Sequence, residues 1–393
     1  MAQGALDGLR LIEMGQLIAG PFCGQLMADH GAEVIKVEPP KVGDAMRNWG
    51  QGIPLWFSVV ARNKKSITLN LREKEGQAIV RQLAEKADFL LENFRPGTLE
   101  RWNLGWEDLS AINEALIMIR VSGYGQSGPY SSRAGYGGIG EAMGGMRYIA
   151  GEPDRPPSRA GLSIGDSLAA TYACLGGLMA LEHRRKTGKG QVVDSAIYEA
   201  VLAMMESTIP EYTVSNHIRE RTGSILPKIA PSNVYPTSDG SVLVAGNQDS
   251  VWKRMASMMG MAELGDDPRY NSHMARGERQ AELDDLIGEW TKHRTSAEVL
   301  DLCEENGVPA GNMYRAPEML EDPHFAARES IIERPHPRHD NFKMQNVAPR
   351  LSETPGDVKW VGPELGQHND EVFGELLGMD TRTMTDLSER GII

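Results

Sequence analysis

The chain has 393 residues, 40% of them hydrophobic and 24% charged, with a formal net charge of −13 at pH 7. That length provides for one large domain plus a smaller one, each with its own core. The composition is that of a globular protein without low-complexity blocks or repeats, and an acidic balance lacking any dense Lys/Arg run argues against nucleic acid as a partner. Cys23, Cys174 and Cys303 have no paired spacing and fall in predicted helices, so they read as small buried apolar residues rather than disulfides or zinc ligands. The nine histidines form no H-E-x-x-H cluster, and no metal is expected. The opening stretch Met1 to Asp7 lacks a basic segment followed by an apolar run, which predicts the cytoplasm and no membrane.

The first elements read as strand, helix, strand: Leu9 to Met14, a helix begun near Pro21 and running through Ala28, then Glu33 to Val37. Apolar runs flanking a helix with Pro in its first turn form a βαβ unit, which implies a parallel sheet. The pattern recurs. Glu75 to Lys86 is amphipathic and leads into a strand at 88–93, and Leu116 to Val121 precedes the turn Ser122-Gly123-Tyr124-Gly125.

Next comes Ser163-Ile164-Gly165-Asp166-Ser167, before an uncharged stretch from Ser167 to Leu181. That stretch is too short for a membrane span and suits a buried helix. Asp166 falls at or beside the helix N-cap, where free N–H groups and the positive dipole end favour an ionised carboxylate. A structural cap and a carboxylate nucleophile are both compatible with that position.

A strand from Gln191 to Ile197 and a helix through Met205 follow, and past Thr208 the periodicity fades. The segment from Asn216 to Pro236 reads as connecting chain, then two short β runs flank Ser238-Asp239-Gly240, and Thr295 with Glu298 forms a capping box. The expected organisation is α/β: a large Rossmann-like domain over 1–212, a linker over 213–229, a small α/β domain over 230–325, and a final part, 326–393, that returns to the large domain.

Five stretches carry a resemblance: Ala19-Gly20-Pro21 with Gly31 to Glu38; Asn63 to Asn70; Glu92-Asn93-Phe94-Arg95-Pro96-Gly97; Gly123 to Tyr130; and Gly165-Asp166 with Lys186 to Gln191. In order and spacing they resemble the class III CoA-transferases, the family of formyl-CoA and carnitine CoA-transferases and of α-methylacyl-CoA racemase. The second half is similar more weakly, through Pro231, Asp239-Gly240, Gly307 to Ala310 and Gly366 to Asn369.

The resemblance implies a homodimer of interlocked, ring-like subunits, with the CoA site between domains, CoA thioesters and free acids as substrates, and no permanently bound cofactor. It makes Asp166 the nucleophile, passing through an aspartyl–acyl anhydride and an aspartyl-CoA thioester. Carried over position by position, Leu17, Ala19, Asn70, Leu71, Arg72, Asn93, Phe94, Arg95, Arg101 and Arg133 correspond to CoA contacts, with Arg72 and Arg101 as phosphate partners and Lys64 and Lys65 as weaker ones. Tyr136, Gln16, Ile18, Gly137 and Gly138 correspond to the substrate pocket. The chain departs from the family at Ile18, where formyl-CoA transferase has glutamine, and at Pro39, where some members carry arginine.

Racemases of the family carry Gly-His-Asp where this chain has Gly135-Tyr136-Gly137, and a phenol with an unperturbed pKa near 10 replaces the imidazole base. Racemisation is therefore the weaker alternative, together with a passive CoA-binding dimer. The four-glycine run of formyl-CoA transferase is missing around Gly223, which disfavours oxalate. The blocks at Gly137 to Gly145 and Ile229 to Asn233 resemble members that use succinyl-CoA with C4 or C5 dicarboxylates.

Overall fold

The computed structural model describes residues 4–393. The chain forms two compact units: the part up to Arg147 with Ala160–His217 and Ala327–Ile393, and Tyr148–Arg159 with Ile218–Ala326. Residues 148–159, expected in the first unit, pack with the second.

The first unit is built on β1 (Arg10–Glu13), α1 (Pro21–Asp29), β2 (Glu33–Glu38), β3 (Lys64–Thr68), α2 (Lys74–Glu85), β4 (Phe89–Glu92) and β5 (Ile117–Ser122). Two further helices, α3 (Gly137–Met143) and α4 (Ile164–Thr187), precede β6 (Val192–Ala196) and α5 (Ile197–Leu202). The six strands pair in parallel in the order β3-β2-β1-β4-β5-β6. Sequence order thus runs outward from β1 in one direction and from β4 in the other. The reversal lies between these two strands, where such folds open a crevice at the carboxyl ends.

Both sheet faces are covered, because alternate side chains feed two separate cores. Ile12, Ile35, Leu90 and Met118 pack with Val80 and Leu83 of α2 and with Phe373 from the returning C-terminal segment. Leu11, Val34, Leu91 and Ile119 pack on the opposite side with Met27 of α1 and Ala169 and Ala173 of α4.

The helix α4 corrects two expectations. It runs 24 residues, long and apolar enough by length and composition to cross a membrane, and it is buried on one face only. That face is made of small residues, Ala169, Ala173, Gly177 and Ala180, which let the helix lie close on the sheet, while Tyr172, Leu175, Leu178 and Met179 are exposed. Its N-cap is Ser163, so Asp166 is the third residue of the first turn rather than the cap itself. Cys23 and Cys174 meet where α1 packs on α4, and their thiol–thiol hydrogen bond together with burial raises Cys23.

In the second unit, β7 (Ser232–Pro236), β8 (Ser241–Ala245) and β9 (Ala310–Asn312) form an antiparallel sheet, so Ser232 to Pro236 is a strand and not connecting chain. The helices at Asp249–Met258, Gln280–Thr291 and Ser296–Glu305 bury Trp252, Leu283, Ile287 and Val299 against it. The predicted capping box is present: Thr295 N–H donates to Glu298 at 2.7 Å, and Glu298 N–H donates to Thr295 Oγ1 at 3.2 Å.

Candidate active site

The loop after β1, Gly15 to Gly20, meets the loop after β4 at the strand-order reversal. A Cβ on Gly15 would stand 3.3 Å from the Gly20 Cα, so the turn closes on itself. Leu17 takes a left-handed conformation, φ 62°, unusual for a leucine. Its N–H donates to both carboxylate oxygens of Asp44, at 3.1 and 3.2 Å.

A buried charge network lies beneath. The Lys36 ammonium reaches Glu13 Oε1 at 3.1 Å, Asp44 Oδ2 at 2.8 Å and the Gly15 carbonyl at 2.9 Å. Burial pulls Lys36 down, but Glu13, Asp44 and Glu38 together outweigh it and hold the ammonium above its ordinary value. Lys64, fully buried, donates to Glu13 at 2.7 Å and to the Pro21 carbonyl at 2.6 Å, so it has no route to a phosphate. Lys65 is bound to Glu33 and Glu371. Both lysines are thus committed to carboxylates of the framework.

Above this network, at the carboxyl ends of β1 to β4, opens a crevice of about 920 Å³. Gln16, Asn70, Leu71, Arg72 and Phe94 line it, which brings five of the expected site residues together. Lys41, Trp102 and Arg390 also line it, and no motif in the sequence points to them. The Phe94 and Trp102 rings meet edge to face at 5.4 Å. Arg390 comes from the C-terminal segment, which is tied down where Asn70 N–H donates to the Ile392 carbonyl at 2.7 Å.

The remaining candidates lie elsewhere or serve the framework. Asn93 clamps the backbone of Gln16, and Ala19 is buried in the core at the start of α1. Ile18 packs with Leu17 and Phe22 beside Phe57. Arg101 is exposed and bonds Thr98 Oγ1 at 3.0 Å. Arg95 donates to the Ser132 carbonyl at 2.5 Å, and Arg133 stacks 3.6 Å over the Tyr130 ring.

The second cluster sits past the carboxyl ends of β5 and β6. A Cβ placed on Gly137, the first residue of α3, would lie 2.2 Å from Asp166 Oδ2, so the carboxylate occupies space that any other residue at 137 would fill. Tyr136 caps this helix with its ring 70% exposed. Glu141, buried, accepts the Gly165 N–H at 3.3 Å and binds Arg147 Nη2 at 2.6 Å. Gly140 serves packing, since a Cβ there would strike Ile197 at 2.4 Å. Tyr136, Gly137, Gly138 and Asp166 therefore share one corner at the same sheet edge as the crevice. Among the described residues no group of three or more His, Cys, Asp or Glu could hold a metal.

The profile of CoA-transferase family III matches residues 6–369. The chain belongs to that family. A Chloroflexus aurantiacus protein named succinyl-CoA–D-citramalate CoA-transferase is 60% identical over 393 residues, covering 99% of this chain and 98% of its own. The human succinyl-CoA:glutarate CoA-transferase is 30% identical over 393 residues, covering 99% and 90%. The crystal structure of a CaiB/BaiF family protein from Brucella suis superposes with a TM-score of 0.85 at 33% identity, over 96% of this chain and 100% of that one. As a family member the chain is a CoA-transferase, and its fold class, a Rossmann-like α/β sheet with a second smaller α/β unit, agrees with its solved relatives.

Proposed function

We propose that this enzyme moves CoA from succinyl-CoA to a C4–C5 dicarboxylate, with Asp166 as the nucleophile. The observation that supports this most is the Asp166 carboxylate lying in the space left by the missing side chain of Gly137, at the carboxyl edge of the sheet. The names of the relatives, which pair succinyl-CoA with citramalate, malate or glutarate, favour a diacid acceptor, with D-citramalate the first to test.

An Asp166 oxygen attacks the thioester carbonyl, the C–S bond breaks, and CoA leaves as thiolate, giving a mixed anhydride. The thiolate attacks the aspartyl carbonyl and expels succinate, giving an aspartyl-CoA thioester. The acceptor carboxylate attacks that carbonyl, releasing thiolate, which then takes the acceptor acyl group and restores the Asp166 carboxylate. No water enters, so the thioester free energy is retained. The first turn of α4 offers backbone N–H groups to the oxyanions. The crevice lined by Arg72, Phe94 and Trp102, with Lys41 as a further cation, takes the nucleotide end of CoA. The exposed apolar face of α4 is covered by a second copy of the chain in an interlocked homodimer.

Enzyme mixed with succinyl-CoA alone should gain the mass of CoA less water on the peptide holding Gly165-Asp166-Ser167, and Asp166→Asn should show no adduct and no transfer. Its fold should survive, since an acid in a helix first turn contributes about 0.3–1 kcal/mol. Near-normal turnover by Asp166→Asn would sink the assignment. Light scattering giving the mass of one chain would sink the dimer.

A further inference from the structure

Arg147 stands a few residues beyond α3, and its guanidinium is 27% exposed. Its Nη2 binds the buried carboxylate of Glu141 at 2.6 Å, and Glu141 in turn accepts the N–H of Gly165, the residue before Asp166. The same Nη2 lies 3.5 Å from where a Cβ on Gly138 would be, while Asp166 fills the Cβ position of Gly137. The guanidinium and the reacting carboxylate thus lie against neighbouring residues in the first turn of one helix.

Two features distinguish Arg147 from an ordinary ion-pair partner. Only Nη2 is engaged among the described residues, which leaves the Nε and Nη1 donors without a protein partner there. Glu141, by contrast, is held from two sides and buried, so it fixes the guanidinium in place rather than competing for its outer edge. A guanidinium anchored at one nitrogen, with donors left over, is suited to a second carboxylate. Glycine at 137 and 138 removes the side chains that would otherwise stand between the two groups.

We propose that Arg147 receives the far, non-reacting carboxylate of the diacid, with Glu141 as its positioning residue. This rests on the reading of the enzyme as a dicarboxylate CoA-transferase. Because donor and acceptor acids occupy the same place in turn beside Asp166, a single arginine reads both. Selectivity for diacids over monoacids then resides in one side chain and applies to each half of the exchange.

The test is the ratio of kcat/KM for succinyl-CoA to that for butyryl-CoA, which has the same chain length without the second carboxylate, read as product thioester by mass. Arg147→Met should lower succinyl-CoA use by about 10- to 100-fold, the range of a charge-assisted hydrogen bond, and leave butyryl-CoA use nearly unchanged, so the ratio collapses. Arg147→Lys keeps a positive charge beside Glu141 and with it the fold, and its ratio should fall between. A loss shared equally by both donors, or an unchanged ratio in the methionine variant, would show a purely structural role and overturn the assignment. The ratio is read on the whole reaction, whereas the nucleophile is judged on Asp166→Asn, so the two assignments fail separately.

Discussion

Asn93 and Gln16 exchange a pair of hydrogen bonds: Asn93 Oδ1 accepts the Gln16 N–H at 2.8 Å, and Asn93 Nδ2 donates to the Gln16 carbonyl at 2.8 Å. The side chain of one loop thereby completes the backbone pairing of another where the strand order reverses. Its polar atoms are spent on the framework, so Asn93 shapes the crevice by holding Gln16 in its lining.

Asn93→Ala should lose both bonds, at about 1 kcal/mol each, and leave two half-buried backbone groups to water. The released loop should raise KM for the CoA thioester more than it lowers kcat, since Asp166 is not among the residues that line the crevice. Urea melts and steady-state kinetics check this. A stability loss with unchanged KM would remove the loop from the binding surface.

Gly137→Ala tests the contact between α3 and the carboxylate directly. The new methyl would need the space of Asp166 Oδ2, 2.2 Å away, and the flexible carboxylate will yield before two helix backbones do. A displacement near 1 Å at a reacting group costs about 10²-fold in rate. Turnover should fall by that order with a nearly unchanged melting temperature. Wild-type turnover would mean that the position of Asp166 is not critical.

Gly177 carries a packing role with no chemistry attached. A Cβ there would sit 2.8 Å from Ile119 Cδ1, and overpacking of this kind costs about 1–3 kcal/mol, against about 1 kcal/mol gained from better helix propensity. Gly177→Ala should therefore be mildly destabilising. Ile119→Val removes the colliding carbon, so the double variant should be more stable than the two single effects added together. Additive denaturant midpoints would refute the contact.

The βαβ units were legible because Pro21 opens a helix and the strands around it carry Leu11, Ile12, Val34, Ile35 and Val37, although Glu13 and Lys36 interrupt the apolar pattern. The strand β3 was less so: Lys64, Lys65 and Ser66 read as polar, yet Lys64 is buried by pairing with Glu13, a long-range contact that no local pattern encodes. Asp166 stood out through its helix start and its neighbouring motifs. Glu141 and Arg147 did not, since they lie six residues apart across Gly144-Gly145 and match no helical pairing interval. Arg390 lined the crevice unforeseen because only the returning C-terminus brings it there.

The acid limb of stability should be governed by Glu38 and Asp44. Burial would push Glu38 up, but Arg47 binds it twice at 2.7 Å and Lys36 adds its charge, so the carboxyl is held below its usual range. Burial acts on Asp44 in the same upward sense, and the Lys36 charge outweighs it, so that carboxyl is lowered too. A carboxyl depressed in the folded state contributes stability that is complete above its unfolded pKa, near 4, and is lost as pH falls through the folded value. The melting temperature should therefore hold at mildly acidic pH and drop below about pH 4. Arg47→Met leaves the buried Glu38 charge short of its main partner, a change that costs about 3 kcal/mol at neutral pH. Protonation removes the need for that partner, so the gap between variant and wild type should narrow as the pH falls. Thermal melts from pH 7 downward decide it: a gap that stays constant or widens in acid would show that Arg47 acts through its packing on Phe57, 3.7 Å from the ring centre, and not through Glu38.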